Sequence, residues 1–257
     1  MNREYYKWHS PNLDRDMELL CFGHAGARVI VFPTSCGRFY DWENRQMLET
    51  LRPQIERGDI QVYCVDGVDV ESWWNMQAQP GERAKRHLQY HDYIIQEVLP
   101  FSKKLNDNDF VIALGASMGA YHAMNLTLRF PESFNRCVAM SGPYDFAQMS
   151  APHNVFNWIF DYSDDSVTQC NPVPLVKSLS GTHIEKLKKT ELIFPIGQTD
   201  PLYEGSRLLA EALAERQVPH EFITWDGFAH DWPYWQQMIL LYLGGVPKPS
   251  PEAAHAS

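Results

Sequence analysis

Residues 110–120 read FVIALGASMGA, an apolar run that ends in a turn of small residues and then continues into a helical pattern. The run at 110–114 is typical of a buried strand, and apolar residues at helical spacing follow at 118–130. Between these two elements the sequence matches the motif G-x-S-x-G. A sharp strand-to-helix turn of this kind projects its serine beyond the carboxyl edge of a sheet. We therefore predict that Ser117 is a nucleophile.

Strands and helices alternate along most of the chain, after an opening antiparallel pair near 4–8 and 18–22. This alternation predicts an α/β fold with a mostly parallel central sheet and helices on both faces. Buried strands are predicted at 28–32, 60–65, 110–114, 137–141, 192–196 and 221–225, and helices at 41–55, 81–105, 118–130, 204–216 and from about 232.

Length and composition agree with one large domain. The chain has 257 residues, of which 44% are hydrophobic, so it can bury a sizeable core. We predict a single domain at 1–245 and a disordered tail at 246–257, which is rich in Pro and Ala. Between 142 and 189 the alternation stops, and an irregular segment of this length is usually a lid or a binding loop. We therefore expect a lid-like insertion there.

A serine hydroxyl needs a general base that is itself oriented by a carboxylate. Asp200 follows the strand predicted at 192–196, and His230 follows the strand predicted at 221–225. Both loops should leave the same edge of a parallel sheet, so we predict that Asp200 and His230 act with the serine. Asp145, which follows the strand predicted at 137–141, is the alternative acid.

The oxyanion that forms during acyl chemistry needs two preorganised N–H donors. The first predicted donor is the backbone N–H of Met118, at the start of a helix. The second should come from the loop PTSCG at 33–37, where we favour the N–H of Ser35 and take that of Cys36 next. An ordinary polar turn is the alternative interpretation of this loop.

Aromatic residues follow two of the predicted strands and could wall a substrate pocket. Trp73 and Trp74 come after the strand predicted at 60–65, and Trp158 and Phe160 lie in the lid-like insertion. With Cys36 they form the predicted pocket. Hydrophobic packing of loops, or of the insertion on the flank of the sheet, is the alternative.

Charge and segment patterns limit the partners of this chain. The formal net charge of −10 disfavours nucleic acid, since phosphate backbones would be repelled. No apolar stretch approaches the length of a membrane span, and the first residues lack the apolar core of a secretion signal. We expect a cytoplasmic protein that acts on a small molecule, and the sequence leaves a homo-oligomer open.

Four stretches of the chain resemble a known family: YIIQEVLP at 93–100, GASMGA at 115–120, FPESF at 130–134 and SGPYD at 141–145. They are similar to the putative-esterase family of α/β-hydrolases, which groups esterase D, S-formylglutathione hydrolases, feruloyl and acetylxylan esterases and mycolyltransferases. The resemblance implies an α/β-hydrolase fold, a Ser-Asp-His triad, no metal and no cofactor. The loop at 33–37 departs from the oxyanion loop of esterase D.

These observations lead to a hypothesis of function. We expect a serine hydrolase that cleaves carboxylic esters through an acyl-enzyme intermediate. Acyl transfer to an alcohol would use the same residues, and a catalytically inactive binding protein could keep the same fold.

Overall fold

A computed structural model of the chain describes residues 1–149 and 165–243. Its centre is one sheet of eight strands: β1 (Arg3–Ser10), β2 (Arg15–Phe22), β3 (Ala27–Phe32), β4 (Ile60–Val65), β5 (Val111–Ala116), β6 (Arg136–Met140), β7 (Glu191–Gly197) and β8 (Glu221–Trp225).

The strands lie in the order β1-β2-β4-β3-β5-β6-β7-β8. β2 is antiparallel to both β1 and β4, and every other neighbouring pair is parallel. The predicted α/β fold with a mostly parallel sheet is confirmed.

Helices cover both faces of the sheet. They are α1 (Asp41–Asn44), α2 (Met47–Glu56), α3 (Pro80–Tyr93), α4 (Leu99–Leu105), α5 (Met118–Arg129), α6 (Phe146–Met149), α7 (Asp165–Gln169), α8 (Pro172–Ser178), α9 (Gly181–Leu187), α10 (Tyr203–Glu215) and α11 (Trp232–Tyr242). A π-helical turn at Ile94–Val98 joins α3 to α4, so the long helix predicted at 81–105 is present with one widened turn.

The central strand β3 shows why two layers of helices are needed. All six of its residues are buried. Ile30 and Phe32 point into one apolar cluster with residues of α3 and α5, whereas Val29 and Val31 point into another with residues of α2 and α11. Because side chains alternate across a strand, a continuous apolar run requires cover on both faces.

The single helix predicted at 41–55 is wrong, since the structure divides it into α1 and α2. Gln46 lies between them with φ of +61°, in the left-handed region. A residue in that conformation cannot continue a right-handed helix. The helical spacing of apolar residues did predict the buried faces of both helices, because Trp42 of α1 and Leu48 and Leu51 of α2 are all buried.

The expectation of an irregular segment at 142–189 is wrong for residues 165–189, which contain the three short helices α7, α8 and α9. Val176 on α8 is buried in the same cluster as Leu192 and Phe194 of β7. Apolar burial on the flank of the sheet therefore orders this part of the insertion. Residues 150–164 lie outside the described residues. Within the described ranges, no helix combines the length and apolarity needed to cross a bilayer.

Candidate active site

Ser117 occupies the turn between β5 and α5 with φ of +54° and ψ of −123°. Its N–H donates to the carbonyl of Met140 at 2.9 Å, which ties the turn to the next strand. Glycines on both sides allow the backbone to pass close by. A Cβ at Gly115 would lie 2.1 Å from the carbonyl oxygen of Gly119, and a Cβ at Gly119 would lie 2.4 Å from that of Phe32. The small residues of the motif are therefore a steric requirement of this turn.

His230 links the serine to a carboxylate. Its Nε2 atom lies 3.2 Å from Oγ of Ser117, and its Nδ1 atom lies 2.7 Å from Oδ2 of Asp200. An ionised carboxylate can only accept, so Nδ1 carries the proton and Nε2 is free to accept from the serine hydroxyl. The structure thus brings together the three residues that the sequence places after β5, β7 and β8.

The Asp200 carboxylate is held rigidly. Its side chain is 0% exposed, and its second oxygen, Oδ1, accepts the N–H of Leu202 at 2.9 Å. A Cβ at Gly197, the last residue of β7, would lie 2.1 Å from the carbonyl oxygen of Phe228. This close approach brings the loops after β7 and β8 into contact, which lets Asp200 reach the imidazole of His230.

Asp145, the alternative acid, has other partners. Its Oδ1 atom accepts hydrogen bonds from the side-chain amide of Asn171 and from the N–H of Ala147, each at 3.1 Å. These contacts join the end of β6 to the start of α8. The Nδ1 atom of His230 is bonded to Asp200 and not to Asp145.

Within the described ranges, the loop at 33–37 has one N–H without an acceptor. Thr34 donates to Oδ2 of Asp41, Gly37 donates to the carbonyl of Thr34, and Cys36 donates to Oδ2 of Asp69. Pro33 has no N–H. Among acceptors in the part of the chain that the structure describes, none receives the N–H of Ser35.

The N–H of Met118 likewise has no acceptor within the described ranges. The backbone segments that carry these two N–H groups pass close to each other, since a Cβ at Gly119 would lie 2.6 Å from the carbonyl oxygen of Pro33. Two unpaired donors on adjoining backbone segments, one of them at a helix N-terminus, form an arrangement that can stabilise an oxyanion.

The predicted pocket residues have different surroundings. Trp73 is 1% exposed and packs against Tyr121 and Phe146. It belongs to the same apolar cluster as Met118, and Trp74 packs on that cluster while half-buried. Trp73 is therefore part of the support beneath the serine turn. Trp158 and Phe160 lie outside the described residues.

Cys36 is exposed beside Ser35. Partial desolvation and the nearby Asp69 carboxylate raise the pKa of its thiol to about 11. At neutral pH the thiol is therefore protonated and a poor nucleophile. Cys36 can contribute a surface to the site but not a second reacting group.

Two aromatic residues flank the imidazole. The ring of Trp235 lies 5.2 Å from that of His230, and its indole N–H donates to Oγ of Ser141 at 3.2 Å. The ring of Phe228 lies 5.7 Å away and is 51% exposed. Sequence reasoning did not assign Phe228, although its place two residues before the histidine was the available signal.

The described residues contain no group of three or more His, Cys, Asp or Glu side chains that could hold a metal ion. The parallel sheet and the serine turn define an α/β-hydrolase fold.

Residues 41–241 match the sequence profile of the family described as "Putative esterase". This match covers most of the 257 residues, and the chain belongs to that esterase family. No curated protein sequence matches the chain significantly.

Solved structures of similar shape include three hydrolases. A ferulic acid esterase is 18% identical with a TM-score of 0.70, and the match covers 95% of this chain and 96% of the other. An S-formylglutathione hydrolase from Agrobacterium tumefaciens is 17% identical with a TM-score of 0.72, over 94% and 92%. A fluorophosphonate-binding serine hydrolase of Staphylococcus aureus is 20% identical with a TM-score of 0.66, over 93% and 95%. At these identities the likeness concerns the fold.

Proposed function

We propose that this protein is a serine hydrolase that cleaves small carboxylic esters through an acyl-enzyme intermediate. The observation that carries the proposal is the chain of hydrogen bonds from Ser117 through His230 to the buried Asp200, with distances of 3.2 and 2.7 Å. Membership of an esterase family supports the same reaction class.

Each group has a defined role in the first half of the reaction. The Nε2 atom of His230 takes the hydroxyl proton as Oγ of Ser117 attacks the ester carbonyl. Asp200 holds the imidazole in the required tautomer and stabilises the cation that forms. The N–H groups of Met118 and Ser35 donate to the developing oxyanion. His230 then returns the proton to the leaving alcohol, and the acyl group stays on the serine.

In the second half, water takes the place of the alcohol. His230 removes a proton from that water, which attacks the acyl carbonyl and releases the acid. An alcohol in the position of the water would give acyl transfer with the same residues. The two outcomes differ in the acceptor that reaches the acyl-enzyme, and the product ratio with an added small alcohol distinguishes them.

The test combines a mechanism-based label with ester turnover. A fluorophosphonate probe should label the wild-type protein on Ser117, and p-nitrophenyl acetate should be hydrolysed. Ser117→Ala should abolish both labelling and turnover while the circular dichroism spectrum is unchanged, because the lost oxygen leaves no core cavity. Ser133→Ala, on a turn beside β6, is the control and should behave as wild type.

Two results would contradict the proposal. If Ser117→Ala hydrolyses the ester at a rate near wild type, the nucleophile is another group. If the folded wild-type protein is neither labelled nor active on esters of any acyl length, the alternative of a binding protein with a hydrolase fold is favoured.

A further inference from the structure

A buried carboxylate lies between the nucleophile helix α5 and the loop at 33–37. Asp69, in the segment after β4, is 3% exposed, and its two oxygens have different partners. Oδ1 lies 2.8 Å from Nε2 of His122, a buried residue on α5. Oδ2 accepts the N–H of Cys36 at 3.0 Å. One side chain therefore connects the helix that begins at Met118 to the loop that carries Ser35.

The turn in this loop has a backbone conformation that its own residues do not favour. The N–H of Gly37 donates to the carbonyl of Thr34 at 2.8 Å, which closes a β-turn. Cys36 has φ of +56°, the left-handed region required at the third position of a type II turn and usually taken by glycine. A cysteine there needs an external contact to hold the peptide plane between Ser35 and Cys36. Oδ2 of Asp69 provides that contact.

The direction of the Ser35 N–H follows from this turn. In a trans peptide the carbonyl and the following N–H point in opposite directions. The Thr34 carbonyl points into the turn toward Gly37, so the Ser35 N–H points out of it. Thr34 is held in turn by Oδ2 of Asp41, which accepts both its N–H and its hydroxyl. Hydrogen bonds on both sides of Ser35 thus set where its free N–H points.

His122 fixes the carboxylate from the other side. Its ring lies 5.3 Å from that of Tyr90 and 6.3 Å from that of Phe32, the last residue before the loop. Nε2 faces a carboxylate and must carry the proton, whereas Nδ1 has no partner in the described part of the chain. Within the described ranges the imidazole of His122 therefore acts as a single donor, and its polar contact is Asp69.

We propose that Asp69, held by His122, is the positioning residue for the second oxyanion donor. Its carboxylate sets the Ser35 N–H relative to the Met118 N–H by bonding to both of the segments that carry them. The inference rests on the proposed function, since it assigns a role within the same oxyanion site. Neither Asp69 nor His122 touches the reacting atoms.

A thionoester, in which sulfur replaces the carbonyl oxygen, provides a readout that reports on the oxyanion donors. Sulfur is a weak hydrogen-bond acceptor, so a thionoester gains little from well-placed N–H groups. The ratio of kcat/KM for an ester to kcat/KM for its thionoester therefore falls when the donors are displaced. Damage to the fold or to His230 lowers both values and leaves their ratio unchanged.

The variants are matched in shape. Asp69→Leu removes both acceptors, and we expect a loss of about 10²- to 10³-fold in kcat for the ester, the size expected for one lost donor, with a much smaller loss for the thionoester. Asp69→Asn can keep its oxygen toward Cys36 and turn its amide toward His122, whose proton then moves to Nδ1. We expect its ratio to stay within tenfold of wild type.

His122→Phe and His122→Gln repeat the comparison from the other side of the carboxylate. Phe keeps the ring but loses the donor, whereas the amide of Gln can still donate to Asp69. The ratio should fall for Phe and be restored in part by Gln. This pair also provides the readout should Asp69→Leu not fold.

Glu97→Leu is the control for stability. Glu97 accepts hydrogen bonds from Trp8, Ser10 and Asn12 at 2.7 to 2.8 Å in the β1–β2 region, so its loss destabilises the fold without a contact to the loop at 33–37. Its ratio should equal that of wild type.

Three results would overturn the proposal. Asp69→Leu and His122→Phe could lower kcat/KM for the ester and for the thionoester by the same factor, or could leave both values unchanged. The third is that the ratio falls as far in Asp69→Asn as in Asp69→Leu. These outcomes differ from a failure of the proposed function, which would appear as full ester turnover in Ser117→Ala.

Discussion

The Nδ1 atom of His230 lies 2.7 Å from Oδ2 of Asp200, across two loops that leave adjacent strands. β7 and β8 are parallel, and Gly197 is paired with Trp225, so the two strands end at the same level. This register brings an acid and a base into contact from positions 30 residues apart. It also leaves Asp145, which bonds to Asn171, in a different role.

Exchanging each aspartate for asparagine should separate these two roles. Asp200→Asn keeps the shape but can hold the imidazole in the tautomer with its proton on Nε2, which cannot accept from the serine. We expect kcat for p-nitrophenyl acetate to fall by about 10⁴, the loss seen when a serine-protease triad is changed in this way. Asp145→Asn should keep kcat within about tenfold of wild type, because Asp145 bonds to Asn171 and not to His230, and loss of a triad member would cost far more. A large loss for Asp145→Asn beside an active Asp200→Asn would assign the acid to Asp145.

Removal of one N–H should test the second oxyanion donor. Ser35 is the second residue of the β-turn, a position that favours proline. Ser35→Pro therefore deletes the N–H without opposing the turn, and we expect kcat to fall by about 10²- to 10³-fold. Ser35→Ala keeps the N–H and is the control, with kcat near wild type. If the proline variant has normal kcat and an unchanged melting temperature, another group is the second donor.

Two buried histidines predict that the fold loses stability in acid. Burial holds the pKa of His87 and of His91 well below the ordinary value of 6.5. In the unfolded chain both rings titrate near 6.5, so below that pH the unfolded state binds more protons than the native state. The contribution of the two histidines to the free energy of unfolding should be fully present above pH 6.5. It should decrease as the pH falls, by at most about 1.4 kcal/mol per pH unit for each histidine.

Urea unfolding between pH 7.5 and 5 measures this dependence. Neither ring nitrogen of His91 has a hydrogen-bond partner in the described ranges, so His91→Phe removes the titrating group without breaking a polar contact. The variant should lose less stability on acidification than wild type. An unchanged slope would show that His91 does not contribute to the acid sensitivity.

Trp158 and Phe160 remain a prediction from the sequence, since they lie outside the described residues. If they form part of the roof of the acyl pocket, Trp158→Ala and Phe160→Ala should alter KM and acyl-chain preference. The rate on a minimal acetate ester should change little, because the reacting groups are untouched. Kinetics across acyl chain lengths check this, and an equal loss for short and long chains would contradict it.

The local sequence determined the reacting turn and the order of the elements around it. The apolar run of β5, the small residues around Ser117 and the helical pattern of α5 are properties of neighbouring residues. Asp200 and His230 could be predicted because each follows a parallel strand, and parallel strands end at one edge of a sheet. The sequence pattern is therefore sufficient to predict site residues that directly follow parallel strands.

The tertiary structure decided which of these groups touch and what supports them. Asp69 and His122 are 53 residues apart, and Cys36 lies 33 residues before Asp69, so their contact depends on β4 lying next to β3 and on α5 packing on β3. Hydrophobic periodicity predicts single strands and helices but not the contact between such distant residues. The same holds for the bond of Asp145 to Asn171. Buried polar groups require partners but not particular ones, and only the packing of distant segments selects them.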